Sequence, residues 1–288
     1  MTVIFTAAVV RASCPHQQSG LVLFSSLANW NVAGSNLTLT SATKLDQSPG
    51  VVLNSITITE GASLIFDDAV LSLNVQYIRV NSGGKFIAGS ADCPINNKIT
   101  ITFFGNRTKA NIIGTDPYDG TAMGAKGLAI LSNATLQLYG SLRHPMWTDL
   151  SETATQGATT IKVRNSTQWQ IGDKLVIAST DFGEVRDYRY LSAPSWIRGV
   201  MFPDQNEERT IVQVVDSKTF VLNQPLNYTH WASGFARAEV GLLNRNILIQ
   251  GDDQGDLFGG HIMIRLADKC EISGIEVTQM GQQGIMGR

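Results

Sequence analysis

Short runs of alternating apolar and polar residues recur along this chain at close to twenty-residue spacing, each followed by a turn. Four segments align without gaps: residues 37–45 (LTLTSATKL), 56–64 (ITITEGASL), 78–86 (IRVNSGGKF) and 128–136 (LAILSNATL), with starts 19, 22 and 50 residues apart. Every copy is apolar at its first, third and ninth positions and turns at its fifth to eighth. Alternation followed by a turn is the pattern of strand, corner and strand. The sixth position carries Ala42, Gly61, Gly83 and Asn133. Glycine and asparagine enter the left-handed backbone region most easily, so a left-handed corner accounts for three of the four copies. The run 98–104 (KITITFF) falls in the 50-residue gap and keeps the stacking nearly unbroken.

Such a repeat predicts an all-β fold of the parallel β-helix or β-solenoid type, in which each coil pairs with the coils above and below and inward Ile, Val, Leu and Phe form columns. An antiparallel sandwich also turns at short intervals and is the competing reading, but it requires no repeated corner chemistry. Residues 146–238 break the rhythm. Runs 159–163 and 174–178 flank a Gly172-Asp173 turn, and 210–215 faces 219–222 across Asp216-Ser217-Lys218 as a hairpin. A small β subdomain inserted into the stack is expected there, with 181–208 as a long surface loop. From 239 the solenoid pattern returns, with 240–243, 246–249, 261–264 and 272–277 as short strands. The predicted organisation is therefore a solenoid over 14–145, an inserted subdomain over 146–238 and the start of a further parallel β-helix over 239–288. A solenoid ending at Arg288 without a polar cap leaves strand edges bare, so an N-terminal portion of a longer protein is expected.

Residues 1–13 form an apolar run followed by small residues before Cys14, which resembles a signal peptide; a buried first strand is the other reading. No later run approaches the roughly 18 apolar residues of a membrane helix. A net charge of -2, from 22 basic and 24 acidic residues spread over 288, leaves no arm for nucleic acid and no polybasic anchor. Sequons stand at Asn36, Asn106, Asn133, Asn165 and Asn227, an excess over chance that favours the secretory route. Of three cysteines, Cys14 and Cys93 each precede a proline in loop-like sequence and form the preferred disulfide, while Cys270 is expected to fill a strand core. No zinc-type spacing occurs, so neither metal nor cofactor is expected.

Three blocks resemble a known group. The segment 30–140, with Tyr77-Ile78-Arg79-Val80-Asn81-Ser82-Gly83-Gly84-Lys85-Phe86 and Gly124-Ala125-Lys126-Gly127, resembles the eight-glycine domain. The blocks 169–180 (WQIGDKLVIAST), 238–251 (AEVGLLNRNILIQG) and 278–284 (TQMGQQG) resemble the region that follows that domain in fibrocystin-like proteins and in the cell migration-inducing hyaluronan-binding proteins. The resemblance implies an extracellular or cell-surface protein with parallel β-helix repeats and, for the hyaluronan branch, binding or depolymerisation of hyaluronan. Trp147-Thr148-Asp149-Leu150 leads straight into the next block, as in the fibrocystin-like arrangement.

The candidate chemistry is sparse. Asp252, Asp253 and Asp256 near His261 are the densest acid and histidine group, and turn formation is their competing role. Asp116 and Asp119 likewise read as turn residues. His230 and Trp231 are candidates to donate to and stack on a sugar, against a reading in which Trp231 packs beneath the inserted subdomain. Arg237, Arg245 and Arg265 are candidates to pair with an acidic glycan. No nucleophile elbow, phosphate loop or nucleotide fingerprint is present. The function expected is a glycan or matrix recognition module, with hyaluronan among the candidate ligands. A hyaluronan-depolymerising glycosidase and a structural spacer are the alternatives.

Overall fold

The structure is a computed structural model that describes residues 14–107, 111–180, 205–252, 255 and 257–284. The leader-like run 1–13, most of the expected long loop, Asp253 and Asp256 lie outside the described residues. The chain divides into two compact units: Leu142–Asn244 forms one, and the residues to either side of it form the other.

The flanking unit is a parallel β-solenoid. One sheet stacks Val22–Leu23, Ala42–Leu45, Ser63–Phe66, Lys85–Ala88, Thr135–Tyr139 and Lys269–Ser273, every neighbour parallel. A second sheet begins with Asn36–Leu39 and Val52–Ile58 and reaches the long strand Leu71–Val80. That strand carries two ladders. Its first half pairs with Ile99–Phe103, which continues to Ile247–Gly251 and Ile275–Thr278; its second half pairs with Gly127–Ile130, which continues to His261–Ile264.

The gapless sequence alignment coincides with the physical register, since Leu37, Ile56, Ile78 and Leu128 are successive partners in one column. Ile58, Val80 and Ile130 form the next inward column, two residues on, as the pleat requires, and Ile264 extends it at the end of its ladder, where it is partly exposed. The corners follow the residue type: Gly61, Gly83 and Asn133 have φ of 73°, 74° and 61°. Ala42 instead begins a strand, and Thr43 pairs with Leu64, so the first corner is shorter than the others. The run 98–104 does not continue the column of Ile78; Ile99 sits on Leu71, at the start of the same strand. The buried columns join Phe24, Leu64, Phe86 and Leu136 with Ile101 and Ile249 in one core, where Phe66 and Phe86 meet edge to face at 5.3 Å.

Two findings correct the sequence reading. Cys270 is exposed, not core-filling. It does continue the column of Leu136, but on the last rung of its sheet, where no further described strand covers it. Val240 and Leu242 belong to the middle unit, not to the returning solenoid, because Glu239–Leu242 pairs antiparallel with Trp147–Asp149 and Lys174–Ile177. Period-two alternation fixes a strand but not its partner. The Sγ atoms of Cys14 and Cys93 are bonded, with Cα atoms 5.4 Å apart, which ties the start of the described chain to the loop after Lys85–Ala88.

The middle unit is an antiparallel sheet of six strands, with the hairpin Glu207–Asp216 and Thr219–Leu222 at its heart. Its core gathers Leu150, Ile161, Trp169, Leu175, Ile211 and Phe220.

Candidate functional site

The segment 223–231, which leaves the hairpin of the middle unit, is held from below by a buried carboxylate. Glu207 is 3% exposed. Its Oε2 accepts the Asn227 N–H at 2.8 Å and its Oε1 the Tyr228 N–H at 2.9 Å, while the ring Nε2 of His230 lies 3.0 Å from Oε1. Arg209 makes a further close contact with Oε2 and donates to the Pro225 carbonyl at 2.9 Å. Burial by itself pushes the Glu207 carboxyl up; the Asn227 amide, the His230 ring, the Tyr228 amide and the Arg209 charge together hold it below the usual glutamate range.

Other bonds pin the same segment from the side. His230 exchanges backbone hydrogen bonds with Ala154, and its Nδ1 lies 2.9 Å from the Ala178 carbonyl. The Gln156 N–H donates to Thr229 Oγ1 at 3.0 Å, and the Trp231 N–H donates to Thr180 Oγ1 at 3.0 Å. Above this floor opens a cleft of about 330 Å³. Trp231 and Tyr228 supply aromatic rings, Gln156, Gln205 and Asn227 supply amides, and Thr180 and Thr229 supply hydroxyls. Trp231 is 56% exposed, so it does not pack beneath the subdomain.

None of these lining side chains carries a charge. Amides and hydroxyls both donate and accept, and an exposed indole offers a flat apolar face, so the cleft matches a neutral polyol ring. Glycoside hydrolysis needs an acid and a base or nucleophile on two sides of the bond. Glu207 is not among the lining residues; it lies buried and committed to its four partners.

The remaining sequence candidates are placed elsewhere or used internally. His230 is fully buried and serves the floor of the cleft rather than its surface. Arg237 Nη1 donates to the Leu150 and Ser151 carbonyls, both at 3.1 Å. In the solenoid, Asp252 pairs with Lys126, whose side chain is 1% exposed and whose Nζ also reaches the Phe258 carbonyl. His261 is buried with Nε2 at 2.8 Å from the Met123 carbonyl, and Gln282 lies against its Nδ1. These bonds fasten the excursion between Ile99–Phe103 and Gly127–Ile130 to the coil above it. Asp116 accepts the Tyr118 N–H, and Asp119 accepts the Thr121 N–H and pairs with Arg265. Both are turn residues, as the sequence allowed. Sequence reasoning passed over Glu207, Gln156 and Thr180, because nothing in the pattern of residues 150–210 announces which of them converge on 227–231.

All five sequon asparagines are exposed. Among the described residues no group of three or more His, Cys, Asp and Glu side chains could hold a metal ion, and no helix is long and apolar enough to cross a membrane.

Residues 28–151 match the family model of the G8 domain. Protein rliB of Dictyostelium discoideum is 29% identical over 96% of this chain and 24% of its own length. A G8 domain-containing protein of the same organism is 30% identical over 96% of this chain and 19% of its own. Mouse fibrocystin-L is 33% identical over 73% of this chain and 4% of its own. The chain thus spans a quarter or less of the length of these relatives. Among solved structures, the tailspike of Acinetobacter baumannii bacteriophage AP22, in complex with capsular saccharide, aligns with a TM-score of 0.26 at 12% identity, over 84% of this chain and 30% of the tailspike.

Proposed function

We propose, from the premise that this chain carries a G8 domain and resembles fibrocystin-like proteins, that it is a non-catalytic glycan-recognition module of an extracellular or cell-surface protein. The middle unit supplies the binding cleft and the solenoid is the scaffold. One observation carries this reading: an exposed tryptophan shares a pre-organised cleft with three amides and two hydroxyls, and among the described residues no carboxylate or histidine lines it. Recognition of a neutral sugar follows from that set, while hydrolysis would need an acid and a nucleophile that none of these lining residues supplies. The secretory route is supported by five exposed sequons and by the Cys14–Cys93 bond.

The reading departs from hyaluronan as the ligand. Its carboxylates call for cations, and Arg237 and Arg265 are engaged with protein carbonyls and with Asp119. The test is a glycan array probed with the purified chain made without N-glycans, alongside sized hyaluronan incubated with it. Retention of neutral, N-acetylated or hexose glycans with no change in hyaluronan length supports the proposal. Shortening of hyaluronan overturns it in favour of a glycosidase, and retention of no glycan overturns it in favour of a spacer.

A further inference from the structure

Of the five sequons, Asn227-Tyr228-Thr229 differs in kind, because its asparagine and its threonine both line the cleft that holds Trp231. The other four asparagines do not line it. The geometry points to Asn227 as a glycosylated residue whose first N-acetylglucosamine occupies the Trp231 cleft, so that the modified chain carries its own ligand and the bare chain has an open site. This inference rests on the reading of that cleft as a sugar site.

Three observations converge. Asn227 is exposed, so its side-chain amide is reachable. Its backbone is fixed, with the N–H held by Glu207 at 2.8 Å and the next N–H at 2.9 Å, so a sugar on Nδ2 starts from a defined position. Trp231 lies four residues on, with its own N–H held by Thr180, and presents an exposed ring beside that starting point. The volume of about 330 Å³ lies at the small end of ligand clefts and admits a short saccharide. Tethering then decides occupancy. A group on a short flexible linker has an effective concentration on the order of millimolar, which fills even a weak site. A free glycan must displace it.

The covalent step is ordinary sequon chemistry. A polyprenyl-diphosphate-linked oligosaccharide is the donor: Asn227 Nδ2 bonds to the sugar C1, the C1–O bond breaks, the lipid diphosphate leaves with the bonding electrons, and Nδ2 loses one proton. Nothing is oxidised or reduced. The transferring enzyme acts on extended chain, so the engagement of Thr229 with Gln156 in the folded unit does not impede it.

The experiment compares the full chain made through a eukaryotic secretory pathway with the same chain made in a bacterial periplasm, where no sequon is modified. Glycopeptide mass spectrometry reads Asn227 occupancy, hydroxyl-radical footprinting reads Trp231 oxidation, and calorimetry reads binding of N,N′-diacetylchitobiose. The expected result is an occupied Asn227, with Trp231 oxidation and chitobiose binding each reduced about tenfold or more relative to the bare chain. Trimming to a single N-acetylglucosamine should preserve the protection. A bare Asn227 on the secreted chain overturns the inference, as does an occupied Asn227 with Trp231 equally oxidised in both preparations, or protection that disappears on trimming. If Trp231 is protected but the bare chain binds neither chitobiose nor any arrayed glycan, the recognition reading fails while this inference stands. If the bare chain binds glycans and Asn227 is unmodified, the reverse holds.

Discussion

Glu207 meets His230 at 3.0 Å, with both side chains buried at the base of the middle unit's cleft. The pair converts a polar loop into a rigid platform, because the same carboxylate also takes the amides of Asn227 and Tyr228. A buried acceptor with this many partners is costly to disturb from either side.

Replacing Glu207 by Gln therefore lowers the stability of the middle unit by about 3 kcal/mol, since Arg209 and two amides lose their charged acceptor. Thermal unfolding of E207Q against the unaltered chain measures it.

The same carboxyl sets a pH signature. Held below its ordinary value of 4.5 in the folded chain, it contributes stability that is complete above that value and is lost as pH falls through the lower, folded value. The denaturant midpoint of the unaltered chain should fall in the window below pH 4.5, and the midpoint of E207Q should fall less steeply there.

Trp169 and Trp231 of the middle unit separate binding from folding. Trp169 is 3% exposed, donates its indole N–H to the Pro145 carbonyl at 2.8 Å and packs on Phe220. W169A should cost about 4 kcal/mol. W231A removes an exposed ring, so it should change stability by less than about 0.5 kcal/mol while abolishing retention on the glycan array.

Two glycines of the solenoid should respond differently to alanine. At Gly127 an added Cβ would stand 2.1 Å from the His261 carbonyl oxygen on the coil above, so G127A must push two coils apart and lose more than about 3 kcal/mol. At Gly61 nothing lies within 4 Å, and the penalty of G61A is the φ of 73° alone, about 1 kcal/mol. Equal losses at the two sites would contradict the close coil contact at Gly127.

The solenoid was legible because one physical period governs both sequence and structure. Leu37, Ile56, Ile78 and Leu128 align on the page and stack in space, and the corner residues declare their backbone angles. What sequence could not say was partnership. Val240 alternates as well in an antiparallel sheet as in a parallel coil, and Cys270 points inward on a rung with no described strand above it. The site was half legible for the same reason. Trp231 stood out as an aromatic beside a histidine, but the roles divided: His230 went under the platform and Trp231 onto it, through contacts with Glu207 and Thr180 remote in sequence.

The solenoid gives up and recovers the chain at one atom. The carbonyl oxygen of Ile95 accepts the Ser141 N–H at 2.8 Å as the strand Thr135–Tyr139 runs out, and the Asn246 Nδ2 at 2.6 Å as Ile247–Gly251 begins. Departure and re-entry thus share one acceptor inside the solenoid, on either side of the insert Leu142–Asn244. Its size imposes no stretch on the strands either side, so evolution or an engineer can enlarge, exchange or excise it while the ladder of coils keeps its count.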